Sequence, residues 1–274
     1  MSALGVKPGD RVLAQVEKTP EALALYIACL RAGFIYLPLN TAYGESELSH
    51  FVSDAEPSLI VCDPAATTLF EGLATSGDTP STILTLDASG HGSFARLAGD
   101  ARTGHAAVDC AADSVASILY TSGTTGKPKG AMITHGNLAS NGMTLHAAWG
   151  WQPGDVLLHT LPIFHVHGLF VAANLAMLGG TPMIFLKGFK AEQVVSLLPT
   201  ASVYMGVPTH YTRMLDEPGL TRTACDKMRL FTSGSAPLLA ATFDAWRERT
   251  GHLILERYGM TETGMNTSNP LAGD

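Results

Sequence analysis

Leu119 to Met132 reads LYTSGTTGKPKGAM. It places three glycines, four Ser/Thr hydroxyls and two lysines behind an apolar run. Glycines let successive backbone N–H groups face one concavity, and the missing Cβ lets a phosphate oxygen approach. Thr121, Ser122, Thr124 and Thr125 add hydroxyl donors, and Lys127 and Lys129 add charge-assisted ones. The spacing is not that of the common P-loop, G-x-x-x-x-G-K-[ST]. Gly123 and Gly126 are three apart, and Pro128 follows Lys127. Composition alone would also allow a surface connection, but the ordered string from Thr121 to Gly130 is more specific than its composition.

Around this loop, strands and helices alternate. VASILYTSG reads as a strand entering the loop, and Thr134 to Ala148 as a helix leaving it. Upstream, Arg11–Val16, FIYLPLN and SLIVCD read as strands. A helix from Pro20 stops at Gly33, and a second runs from Ser46 to Asp54. Downstream come VLLHTLP, TPMIFL, ASVYMGVP, MRLFTSG and HLILERYG, separated by helical stretches at Ala191–Leu198 and Leu238–Thr250. This order predicts an α/β fold with largely parallel sheets and flanking helices. The signal weakens between Leu69 and Asp113, which hold one short strand candidate, STILTLD. A seam there predicts a first subdomain over 1–112 and a second over 113–274 that carries the loop.

The chain of 274 residues has 15% charged and 46% hydrophobic residues, ample for a packed core. A formal charge of −7 argues against broad nucleic-acid binding, so any anion site must be local. Cys29, Cys62, Cys110 and Cys225 are scattered without a C-x-x-C pair, as expected for reduced core thiols in a cytoplasmic protein. LALYIACL at Leu23–Leu30 is too short to cross a bilayer, so no membrane association is expected, and no protein partner is evident.

TSGTTGKPKG resembles the phosphate-loop signature of adenylate-forming enzymes, which include acyl-CoA synthetases, firefly-type luciferases and peptide-synthetase adenylation domains. Four further stretches resemble that superfamily in order: LRAGFIYLPLN at Leu30, LPIFHVHG at Leu161, SGSAPL at Ser233 and YGMTET at Tyr258. MGVPTHYTR, LFTSGSAPL and ERYGMTETGMNTSNP resemble malonyl-CoA synthetases within it. The resemblance implies the large amino-terminal domain of such enzymes, with its sheets stacked. It also implies an ATP-dependent acid–CoA ligase with Mg²⁺ as metal, CoA as co-substrate and malonate as the acid. Methylmalonate or another short acid stays open, as does a non-catalytic nucleotide-binding remnant.

Residue by residue, the resemblance implies that Ser122 to Lys127 and Gly130 hold phosphates. It puts adenine at Ser233, Gly234, Ser235 and Ala236, with Tyr258 stacking on the base and Gly259 beside it. Thr261 would donate to the α-phosphate, and Glu262 is a hard oxygen ligand for Mg²⁺. Thr121, Lys129, His165 and Glu262 would act on the reacting groups. His165 and His167 form an H-x-H pair with no companion ligands spaced for zinc. If that segment is extended the rings face opposite ways, and the motif position falls on His165. Which of the two faces the acid stays open. Pro208 and Thr209 mark a helix start with Thr209 a candidate cap. Arg213 is the candidate partner of malonate's far carboxylate. Members of the superfamily continue into a hinge and a small carboxyl-terminal domain, so an amino-terminal portion, clipped at its start and incomplete for turnover, is expected here.

Overall fold

The structure is a computed structural model, and it describes residues 1–74, 81–101, 104–121 and 127–272. The chain divides into two compact units, Met1–Asn137 and Leu138–Asp274.

The first unit contains β1 (Arg11–Gln15), α1 (Pro20–Ala32), β2 (Ile35–Pro38), α2 (Glu45–Ala55) and β3 (Leu59–Cys62). It continues with α3 (Thr67–Ala74), β4 (Thr82–Thr85), α4 (Ser93–Gly99), β5 (Val115–Thr121) and β6 (Lys129–Thr134). Local chemistry sets the ends of α1. Thr19 Oγ1 accepts the Ala22 amide and Pro20 fills the first turn, where a missing N–H costs nothing. The strand order is β4-β3-β1-β2-β5-β6, parallel throughout except for β5–β6. β3 is buried along its whole length, as befits a strand covered on both faces.

α5 (His135–Ala148) contains the division between the units. The second unit then holds β7 (Leu157–His159), a π-helical segment (His167–Ala173), α6 (Asn174–Leu178), β8 (Met183–Phe185) and α7 (Ala191–Leu197). After these come β9 (Val203–Gly206), α8 (Pro208–Leu215), β10 (Leu230–Ser233), α9 (Ala240–Thr250), β11 (Ile254–Met260) and β12 (Gly264–Ser268). The order is β12-β11-β10-β9-β7-β8, again parallel except for the last hairpin, β11–β12. Its core packs Tyr204, Tyr211, Phe231 and Trp246 edge-to-face, with ring centroids 4.9–6.5 Å apart.

Two expectations change. The division falls at Asn137/Leu138 rather than 112/113, because β5 pairs with β2 and β6 with β5, which ties the strands flanking the glycine-rich loop to the first sheet. The weak stretch after Leu69 holds the end of α3, β4 and α4 of that same unit. At α8 the cap is Val207 with Pro208 in the first turn, so Thr209 lies inside the helix.

Candidate active site

In the second unit the carboxyl ends of parallel strands β9, β10 and β11 meet the segment that follows β7, the place where open α/β sheets bind ligands. Leu161–Gly168 is not extended there. It turns and enters the π-helical segment, a local form frequent at functional sites. Gly168 makes the turn possible: a Cβ at that position would lie 2.0 Å from the Pro162 carbonyl oxygen. His159 Nε2–H donates to the Gly168 carbonyl at 2.8 Å and holds the turn. Both His165 and His167 therefore line one cavity, instead of facing opposite ways.

The two rings differ in setting. His165 is exposed at the wall of the concavity, and desolvation there still lowers its pKa below 6.5. His167 is only 6% exposed. Burial, reinforced by the positive charge of Arg257, holds its pKa well below 6.5. Both rings are neutral at pH 7. His167 Nδ1 lies 3.4 Å from Ser235 Oγ, and its buried Nε2 has no hydrogen-bond partner.

The cavity measures about 430 Å³. Leu161, Pro162, Val166, Val207 and Met265 form its apolar walls, and the polar groups are His165, His167, Ser235, Thr261 and Arg257. Arg257 was not among the residues singled out from sequence, although it precedes Tyr258 in the quoted ERYGMTET. Its side chain is 5% exposed, and its Nε and Nη2 are buried without partners. Gly234 makes room for it: a Cβ there would sit 2.4 Å from the guanidinium carbon. Burial lowers the Arg257 pKa to about 10, so it stays charged at neutral pH. An unpaired buried cation costs several kcal/mol, and such a cost is tolerated where an anionic ligand completes the pair. The signal available in sequence was strand parity. Along β11, Glu256 and Tyr258 point out and Arg257 points in.

Arg213 is elsewhere. α8 buries Tyr211 and Met214, which turns position 213 outward. Its guanidinium lies 5.3 Å from the centroid of the Phe189 ring, which stacks on His210 at 3.8 Å and 3°. It is not among the residues that line the cavity. Of the adenine-loop residues, Ser233 is fully buried with its hydroxyl enclosed, and Gly234 backs onto Arg257. Ser235 lines the cavity in a left-handed conformation (φ 69°), and Ala236 is exposed. Strain of that kind collects at ligand-binding turns. Gly259 and Thr261 line the cavity, while Tyr258 (56% exposed) and Glu262 face solvent. In the first unit, Thr121 ends β5 opposite Lys129, and Gly130 pairs with Tyr120. Lys127 and Lys129 are exposed; Ser122, Gly123, Thr124, Thr125 and Gly126 lie outside the described residues.

The family model described as "AMP-binding enzyme" matches residues 1–274. The chain belongs to the AMP-binding enzyme family. A crystal structure of ATP-bound MatB from Rhodopseudomonas palustris superposes with a TM-score of 0.96 at 53% identity, over all of this chain and 54% of that one. A malonyl-CoA ligase in a ternary product complex with methylmalonyl-CoA and AMP gives a TM-score of 0.79 at 34% identity, over 96% of this chain and 55% of that one. The mitochondrial malonate–CoA ligase ACSF3 of Mus musculus is 38% identical over 88% of this chain and 43% of its own length. The chain thus spans about half the length of these relatives.

For this AMP-binding enzyme the donor set suits Mg²⁺. Among the described residues no group of three or more His, Cys, Asp or Glu side chains forms a metal cage. The single carboxylate of Glu262 matches an ion that takes most of its ligands from phosphate oxygens and water. No described helix is long and apolar enough to cross a membrane.

Proposed function

We propose that this chain is the amino-terminal part of an ATP-dependent malonate–CoA ligase. The observation that carries the reading is Arg257, a buried guanidinium with two unpartnered nitrogens on the wall of a cavity of about 430 Å³. A monocarboxylate whose one carboxylate is committed to the α-phosphate leaves that cation without a partner, and a fatty tail would leave it desolvated and unpaired. A dicarboxylate presents one carboxylate for reaction and the other as its partner.

In this reading Arg257 anchors the far carboxylate. His167, neutral and steadied by Ser235, has an unpartnered ring nitrogen to offer the same acid. His165 stands beside the reacting carboxylate without adding charge there. Thr261 donates to the α-phosphate. The turn from Ser235 to Ala236 and the exposed ring of Tyr258 receive adenine, and Lys127, Lys129 and the glycine-rich loop hold phosphates. Mg²⁺ held by Glu262 would offset phosphate charge. A malonate oxygen attacks the α-phosphorus, and the bond from that phosphorus to the bridging oxygen breaks, releasing pyrophosphate. The CoA thiolate then adds to the acyl carbon and AMP leaves. The protein's part in the first step is positioning and charge stabilisation, which these groups supply without a nucleophile of their own.

A methylmalonate ligase is the second reading. The apolar Val166, Val207 and Met265 accommodate an α-methyl group, and a 34% identical ligase binds methylmalonyl-CoA. Pyrophosphate release by this chain joined to the carboxyl-terminal half of a relative tests both. Malonate or methylmalonate should exceed butyrate, which lacks the second carboxylate, by about 10³-fold or more. Equal rates with butyrate would sink the dicarboxylate reading. A strong bias between the two diacids would choose between the alternatives.

A further inference from the structure

In the first unit, helix α2 grips both arms of the glycine-rich hairpin. On the β5 arm, Tyr120 packs against Phe51 with ring centroids 4.3 Å apart and donates its hydroxyl to Asp54 Oδ2 at 2.6 Å. On the β6 side, His50 Nε2–H donates to the Pro128 carbonyl at 2.9 Å, and its ring meets the edge of Tyr120 at 5.9 Å. His50 and Asp54 are four apart and share a helix face. Leu48, Phe51, Val52 and Ala55 of α2 are buried in the core, which anchors the helix.

Pro128 has no N–H and precedes the first residue of β6. Its ring fixes φ, the Thr121–Lys129 pairing fixes the next residue, and His50 fixes the carbonyl between the two lysines. Lys127 and Lys129 have exposed side chains. Their placement therefore comes from the backbone, and the backbone is held by His50. We infer that His50 is a positioning residue for nucleotide binding: its bond to Pro128 sets the Lys127-Pro128-Lys129 arm where it meets the β- and γ-phosphates of ATP. Because the acceptor is a carbonyl, Nε2 is the donor in this bond.

The inference rests on the ligase reading above, and the test separates the two. ATP–Mg²⁺ and AMP are titrated calorimetrically into the chain and its His50 variants. Wild type should bind ATP more tightly than AMP. His50→Leu, which keeps bulk and removes the donor, should weaken ATP about fivefold to tenfold and leave AMP within about twofold. His50→Gln, whose amide N–H can reach the same carbonyl, should restore ATP binding to within about twofold of wild type. If the leucine variant does not fold, His50→Ala takes its place. Equal weakening of ATP and AMP, no weakening of ATP, or failure of glutamine to rescue would each overturn the positioning role. A wild-type chain that binds neither nucleotide would overturn the ligase reading itself.

Discussion

Both sheets run five strands parallel and close on one antiparallel edge strand, β6 in the first unit and β12 in the second. The described residues flanking the two closing hairpins differ. Exposed Lys127 and Lys129 flank Pro128 at the start of β6, whereas β11–β12 turns through Thr261–Thr263, a short way beyond the buried Arg257. Among the described residues the first unit buries Gln15, Lys18, Thr19 and Ser117 as its polar groups. The second buries Asp155, His159, His167 and Arg257, besides hydroxyl residues. The difference is the one that the proposed ligands would require. A polyphosphate carries enough charge to be gripped by solvated lysines and backbone N–H groups. A three-carbon diacid makes few contacts, so each must act at low dielectric, which requires a desolvated and pre-positioned cation. Within the second unit Arg229 supplies the counter-example, because it is ion-paired with Asp155 and donates to the Trp149 carbonyl at 3.1 Å. That arginine is structural, while Arg257 is left open to the cavity.

The largest test of this contrast is Arg257→Met. Malonate binding should fall roughly 100-fold while ATP binding stays within a few-fold, read by calorimetry. Thermal stability should hold or rise, since an uncompensated buried cation is removed. A Tm collapse would instead make Arg257 structural, like Arg229. Gly234→Ala sharpens the same point from the other side. The new Cβ meets the guanidinium at 2.4 Å and must displace it, so we expect about 1–3 kcal/mol of destabilisation by denaturant titration, with malonate binding weakened about tenfold. Unchanged malonate affinity would break the link between that glycine and the acid.

Next in size is a pH effect from a half-buried imidazole of the second unit, His210. Burial, assisted by Arg213, lowers His210 to about 4, and Tyr204 Oη lies 2.8 Å from its Nδ1. A folded-state pKa below the unfolded value of about 6.5 means the unfolded chain binds more protons between the two. Stability is therefore complete above about pH 6.5 and declines as pH falls toward 4, by about 1–2 kcal/mol from this partly exposed ring. Melting curves of His210→Gln should be less pH-dependent over that window than those of wild type; identical slopes would refute the assignment. The smallest effect belongs to Arg213→Met, which should change malonate affinity by less than about twofold, because that guanidinium lies on Phe189 outside the cavity. A large loss would return the acid to α8.

The strands that were legible in sequence are those buried in the parallel part of each sheet. Their apolar runs, LIVC in β3 and LFTS in β10, leave no other way to satisfy backbone and side chain together. The two antiparallel edge strands, β6 and β12, carry no such run. KGAMIT is mostly exposed and GMNTS is polar, so neither shows the alternation that marks a half-buried strand. The π-helical turn leaves no mark in hydrophobic periodicity; it rests on the close approach of Gly168 to Pro162. Thr261 and Ser235 were named from short motifs and do line the cavity, since such motifs record backbone turns whose geometry is local.

Sequence by itself determined the α/β alternation, the order of the family's motifs and the chemistry that a Gly/Thr/Lys loop can offer a phosphate. All of these depend on residues close together along the chain. Which arginine lines the cavity was decided only by tertiary structure. Arg213 and Arg257 are equally plausible as letters, but helix periodicity turns one to solvent over Phe189. Strand parity, with the space left by Gly234, buries the other without a partner. The glycine-rich stretch shows the same division. Its ordered string pointed to an anion site, but the hold of His50 on Pro128 is a contact across 78 residues that only the folded unit brings together.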